Sequence, residues 1–332
     1  MSKFLFDTFH SFGLALPTNS LPTLSLEDVP LYRYNFPAAS EAKKGYRLRM
    51  FSTDTLKDKK ILVTGGGSGL GFGIARGCAA LGATVAICGR TEEKLLRAVQ
   101  QITDAGGRAV CRVVDVRDYE AVGLMIDSLQ KELGPLDSLV NNAAGNFYCT
   151  SEDLSPGGFK AVVDIVLHGT FNCTQHFGKH AIASGISGSI LNIVTTYTET
   201  GSAFVLPSAC AKAGVAALTT SLAFEWAEYN IRVNAIAPGP FPTPGAWKRL
   251  MPDKNLETEF EKLQPMKRFG NLEELVNLAV FLLSDMAPYI NGEIVTIDGA
   301  SRLRAGQFNF LSDFFPREKL REVFSAIRGS KD

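Results

Sequence analysis

The stretch Lys60-Ile61-Leu62-Val63-Thr64-Gly65-Gly66-Gly67-Ser68-Gly69-Leu70-Gly71 decides the fold. Its first five residues form a short apolar run of strand length, the glycines break it, and the segment Leu70–Leu81 continues with helical periodicity. A strand that enters a helix through glycines is the arrangement that holds a dinucleotide phosphate. Gly65, Gly69 and Gly71 allow the tight turn and bring N–H groups at the helix start against a pyrophosphate, with Gly66, Gly67, Ser68 and Leu70 completing the loop. A flexible glycine turn without a ligand is the alternative, and the flanking strand and helix weigh against it.

Working outward, apolar runs at Thr84–Cys88, Ala109–Val114, Ser138–Val140, Ser189–Val194, Arg232–Ala237 and Glu293–Ile297 alternate with amphipathic segments of helical length. These segments are Glu92–Ile102, Tyr119–Leu133, Phe159–Ala183, Pro207–Glu228 and Leu272–Ser284. The alternation predicts an α/β fold: three layers around a doubly wound parallel sheet, with helices on both faces. Residues 1–55 lack periodicity and carry a basic patch at Lys43, Lys44, Arg47 and Arg49, so they read as an arm or targeting segment. The catalytic unit then spans 56–300. A C-terminal extension over 301–332 carries a charged amphipathic stretch, Pro316–Ile327, open to a role as an interface or as a cap.

Composition bounds the partners. Lysine plus arginine and aspartate plus glutamate total 34 each in 332 residues, which gives no reason to expect a nucleic acid or a charged membrane surface. No apolar run is long enough to span a membrane. The six cysteines (Cys78, Cys88, Cys111, Cys149, Cys173, Cys210) form no CxxC pair and mostly lie in apolar runs. Buried reduced thiols in a reducing compartment are expected, with no metal site.

The second strand closes on Cys88-Gly89-Arg90, where a site selective for NAD would place a carboxylate against the ribose 2′-hydroxyl. A planar cation at Arg90 suits a 2′-phosphate, so NADP(H) is the expected cofactor; a solvated surface arginine is the alternative. Asp115 is open to two roles, bonding the adenine amino group or capping the next helix. Pro238-Gly239-Pro240 and Phe241 follow strand six and either border the cofactor or simply end the strand.

The pattern Thr-Gly-x-x-x-Gly-x-Gly, the run Asn141-Asn142-Ala143-Ala144-Gly145 and Pro238-Gly239-Pro240 together resemble the short-chain dehydrogenase/reductase family over about residues 58–300. The resemblance implies a Rossmann-like fold and a catalytic serine, Tyr-x-x-x-Lys and a helix asparagine. Here Lys212 stands alone: the tyrosine position holds Ser208, the serine position Thr195, and the asparagine position Val166. A serine hydroxyl poorly replaces an acid that protonates an alkoxide, so ordinary ketone reduction is not expected.

A displaced tyrosine, in Thr195-Thr196-Tyr197-Thr198-Glu199-Thr200-Gly201-Ser202, together with Asn146-Phe147, is similar to the 2,4-dienoyl-CoA reductases of the family, closest to the mitochondrial type. That similarity implies hydride delivery to the far end of a conjugated thioester, with charge collecting on the thioester oxygen. Tyr197 and Asn146 would hold that oxygen, Lys212 would bond the nicotinamide ribose, Ser208 would hold the donors in place, and a proton from water would give a 3-enoyl-CoA. Arg117, Arg249 and Phe147 are the implied acyl-CoA contacts. Each has a plainer reading: Tyr197 as half-buried packing, Ser208 as a helix N-cap, Asn146 as a turn residue, Arg249 as a solvated lid residue. The resemblance also implies a homotetramer through Phe159–Ala183 and Pro207–Glu228, and a mitochondrial location. The N-terminus is poor in arginine and contains Asp7, and the C-terminus Gly-Ser-Lys-Asp is no Ser-Lys-Leu signal, so peroxisome and cytoplasm stay open. The alternatives are a 2-enoyl-CoA or 3-ketoacyl reductase of the same fold, or a silent NADPH-binding module.

Overall fold

The computed structural model describes residues 51–329 except 244, 246, 248–250 and 252. Most of the expected N-terminal arm, and Arg249, therefore lie outside the described residues. Seven strands form one sheet: β1 (Lys60–Thr64), β2 (Thr84–Gly89), β3 (Arg108–Val113), β4 (Ser138–Asn141), β5 (Gly188–Ile193), β6 (Ile231–Pro238) and β7 (Ile294–Ile297). Their order is β3-β2-β1-β4-β5-β6-β7, and every neighbouring pair is parallel. The doubly wound sheet is as expected. The order reverses between β1 and β4, which opens a crevice at their carboxyl ends.

Successive strand residues face opposite layers, and the core divides accordingly. Ile61 and Val63 pack with α1 (Gly69–Ala80), α2 (Glu92–Asp104) and, later in the chain, the helix Leu272–Leu283. Leu62, between them, packs on the other side with α3 (Tyr119–Leu133) and Phe177. Both faces of β1 are thus dry, which explains its uninterrupted apolar reading.

The long segment expected over Phe159–Ala183 is broken in register. It comprises α4 (Pro156–Val163), a π turn over Asp164–His168 and α5 (Gly169–Ser184). Gly169 N–H reaches back five residues to Asp164 O, and the Thr170 hydroxyl bonds Val166 O at 2.7 Å. A Cβ on Gly169 would lie 2.6 Å from Val116 Cγ2, so tight packing on the loop after β3 accompanies the extra residue. The remaining helices are α6 (Leu206–Glu225), α7 (Lys254–Lys262), α8 (Leu272–Leu283), α9 (Leu311–Phe314) and α10 (Arg317–Gly329). Helix α7 has no counterpart in the sequence reading, because its polar run shows only Leu256 and Phe260 at helical spacing. Of the cysteines, Cys78, Cys88 and Cys173 are buried, but Cys210 is exposed, which corrects the expectation for that residue.

Candidate active site

Thr64 ends β1 with its side chain in the switch crevice, 2% exposed, where its hydroxyl accepts N–H bonds from Asn142 and Ala143, both at 3.0 Å. Asn142 in turn donates through Nδ2 to Thr64 O at 3.0 Å. These bonds fasten the Asn-Asn-Ala run after β4 onto the glycine turn after β1. Gly65 and Gly69 take φ of 64° and 59°, the region that side chains disfavour. At Gly71 the need is space: a Cβ would stand 2.4 Å from Asn142 Nδ2 and 2.6 Å from Gly65 O. Ser68 precedes α1 without making a side-chain capping bond, so the first N–H groups of the helix stay available. That cradle fits a pyrophosphate. Thr64 and Asn142 were read in sequence only as motif members and given no role of their own; the signal for one was a hydroxyl and an amide directly beside the two strand ends.

Arg90 follows Gly89 at the end of β2 and is exposed. Nearby, Asp115 takes the Arg117 guanidinium through Nε at 3.0 Å and Nη2 at 2.5 Å. The hydrogen bond from Arg117 holds the Asp115 carboxyl below its usual range, and the charge of Arg90 adds to the effect. The helix-cap reading of Asp115 is excluded, since Asp118 caps α3 by accepting from Ala121 N–H. Asp115 and Arg117 engage each other here, and either would meet a ligand by loosening this half-exposed pair, at a cost of about 1 kcal/mol or less.

Beyond β5, Tyr197 sits in a short turn (Thr196–Thr198) with φ −93° and ψ 16°. Its hydroxyl lies 3.1 Å from Ser208 Oγ. Ser208 is 3% exposed and stands inside α6, whose N-cap is Val205, so the N-cap reading of Ser208 fails. One turn further, Lys212 is 6% exposed and its Nζ donates to Ile193 O at the end of β5. Burial pushes the Lys212 ammonium down to about 8. Thr195 Oγ1 is buried with no hydrogen-bond partner among the described residues.

Asn146 Oδ1 accepts the N–H of Phe147 at 2.9 Å, which fixes the amide rotamer. Among the described residues nothing accepts from its Nδ2, so two N–H donors remain free. Phe147 rests by α4, its Cζ 3.2 Å from where a Cβ on Gly158 would be. The Asn146 and Tyr197 loops meet where Cys149 N–H donates to Phe204 O at 2.9 Å. Past β6, Gly239 N–H bonds Ile297 O, while Phe241, 9% exposed, packs on Gly270. The crevice thus brings together a phosphate cradle, a buried lysine and neutral donors from two loops, which is the equipment for holding a cofactor and an oxygen that gains negative charge.

The family model described as enoyl-(acyl carrier protein) reductase matches residues 65–300. A probable 2,4-dienoyl-CoA reductase, (2E)-enoyl-CoA-producing, of Bacillus subtilis is 43% identical over 254 residues, covering 76% of this chain and 100% of that protein. A probable (3E)-enoyl-CoA-producing 2,4-dienoyl-CoA reductase of Caenorhabditis elegans is 42% identical, covering 82% of this chain and 91% of that one. A peroxisomal 2,4-dienoyl-CoA reductase of Pongo abelii is 37% identical, covering 76% and 87%. Among solved structures, a putative 2-deoxy-D-gluconate 3-dehydrogenase from Agrobacterium tumefaciens with bound NADP is 35% identical, with a TM-score of 0.70 over 76% of this chain and 100% of that one.

Proposed function

From the premise that the chain belongs to the short-chain dehydrogenase/reductase family, we propose that it reduces 2,4-dienoyl-CoA to 3-enoyl-CoA in the oxidation of unsaturated fatty acids. It is an oxidoreductase with a nicotinamide cofactor, and Arg90 is the reason to favour NADPH. The observation that carries the reading is the Tyr197 hydroxyl within 3.1 Å of Ser208, at the position where the family's tyrosine is absent. NADPH, when bound, supplies a hydride to the terminal carbon of the diene.

Electrons displaced from the diene collect on the thioester oxygen as a dienolate. Ser208, donating its proton to Tyr197 Oη, leaves the phenol proton free to bond that oxygen, and the free Asn146 amide provides the second donor. Neutral donors fixed before the reaction suit an oxyanion, and one of them contributes about 3 kcal/mol in a water-poor site. Protonation from water at the carbon next to the thioester leaves the 3-enoyl product; protonation two carbons further would leave the 2-enoyl product. Lys212, buried beside the Tyr197–Ser208 pair, bonds the nicotinamide ribose. Arg117, Phe147 and Arg249 take the acyl-CoA.

The reading divides the chain into an arm over 1–55, a catalytic unit over 56–300 and an extension over 301–332. Exposed Phe171 on α5 and Phe224 on α6 favour a homotetramer through those helices. The mitochondrion is the proposed location, with the peroxisome, as in the name of the Pongo abelii relative, and the cytoplasm as the alternatives that cell fractionation decides.

The test is NADPH consumption with a 2,4-dienoyl-CoA, a 2-enoyl-CoA and a 3-ketoacyl-CoA, wild type beside Tyr197→Phe, with the product double bond located. Dienoyl-specific turnover that falls about 10²-fold or more in the variant, with NADPH affinity retained, is the expected result. Ketoacyl turnover indifferent to Tyr197, or tight NADPH binding without turnover, sinks the reading.

A further inference from the structure

Five non-glycine residues take positive φ among the described residues: Asp58, Phe204, Asn230, Lys267 and Ala300. Phe204, at 65°, is the one aromatic among them, in a region that bulky side chains disfavour. The residue is 58% exposed and belongs to no core cluster. The turn itself needs only the backbone, since the tie to the Asn146 loop runs from Cys149 N–H to the Phe204 carbonyl. Glycine would hold the same φ without strain and keep the same carbonyl. Folding therefore gives no reason for a phenyl ring here.

Position gives one. Phe204 stands four residues before Ser208, and its carbonyl meets the chain three residues past Asn146, so this exposed residue sits where the two donor loops meet. Phe147, 38% exposed, stands on the facing loop. An oxygen held by Tyr197 and Asn146 fixes one end of an acyl thioester, and the chain beyond the diene must then lie in water or along apolar surface.

We propose that Phe204 is a specificity-determining residue whose ring, with Phe147, supports the acyl chain beyond the reacting diene and sets the preference for longer chains. This rests on the acyl-CoA reading above. The added methylenes of a long chain gain affinity where the ring covers them, and a short chain does not reach it.

The experiment measures binding of decanoyl-CoA and hexanoyl-CoA by calorimetry to the full-length protein with NADP+, for wild type, Phe204→Gly and Phe204→Asn, beside thermal unfolding. Saturated ligands need no turnover. The expected result is about fivefold weaker decanoyl-CoA binding in both variants, less than twofold change for hexanoyl-CoA, and thermal stability equal to or above wild type. Equal loss for both chains would assign Phe204 to loop structure instead, and unchanged binding, or no binding of either ligand by wild type, would overturn the proposal outright. Chain-dependent binding without dienoyl turnover in the wild type would sink the reductase reading while leaving the role of Phe204 standing.

Discussion

Replacing Lys212 with methionine is expected to stabilise the cofactor-free protein at neutral pH while destroying its activity. Burial lowers the Lys212 pKa from 10.5 to about 8, because the charged ammonium loses water inside the crevice. The unfolded chain keeps the ordinary value, so charging the folded form costs free energy below about pH 8, and stability recovers as pH rises from about 8 towards 10.5. At pH 7 the penalty is about 3 kcal/mol, because each tenfold loss of proton affinity on folding costs ~1.4 kcal/mol. Removing the amine orphans the Ile193 carbonyl, which costs about 1 kcal/mol and leaves a net gain of about 2 kcal/mol. For a domain of this size that is roughly 4 °C in Tm. Near pH 10 the penalty shrinks to about 1 kcal/mol, and the variant is expected to match wild type there. Thermal unfolding without cofactor at both pH values, with NADPH titrated in parallel, measures the effect. A variant less stable than wild type at pH 7 would refute the argument, because Lys212 would then be a net contributor to the fold.

Two further outcomes follow from the cofactor cradle. Gly71→Ala is expected to lower stability by about 2 kcal/mol and abolish NADPH binding, seen by calorimetry, since its Cβ would stand 2.6 Å from the Gly65 carbonyl and must push the turn and Asn142 apart. Arg90→Glu is expected to weaken NADPH by about tenfold or more and NADH by less than threefold, in competition titrations, by placing a carboxylate near the 2′-phosphate; equal losses for both cofactors would remove Arg90 from that role.

The sequence determined the layered fold because its signals are local. Apolar strands, the break at Gly65–Gly71 and helical periodicity each need only a few neighbouring residues. It also singled out Lys212, Tyr197, Ser208 and Asn146, through the family resemblance that the motifs around them carry. Only the tertiary structure decided what those groups do to one another. Ser208, read in sequence as either a cap or the residue that holds the donors, pairs with Tyr197 because α6 starts at Leu206 and carries Ser208 inward. Asp115 and Arg117 received separate roles in sequence, and the structure pairs them through the Arg117 guanidinium. Thr64 and Asn142 appeared in sequence only as members of two separate motifs, because the bonds between them join residues about eighty apart, across the point where β1 and β4 lie side by side. Strand order, burial and loop contact are sums over the whole chain, and the shifted lysine and the exposed, strained Phe204 exist only once those sums are made.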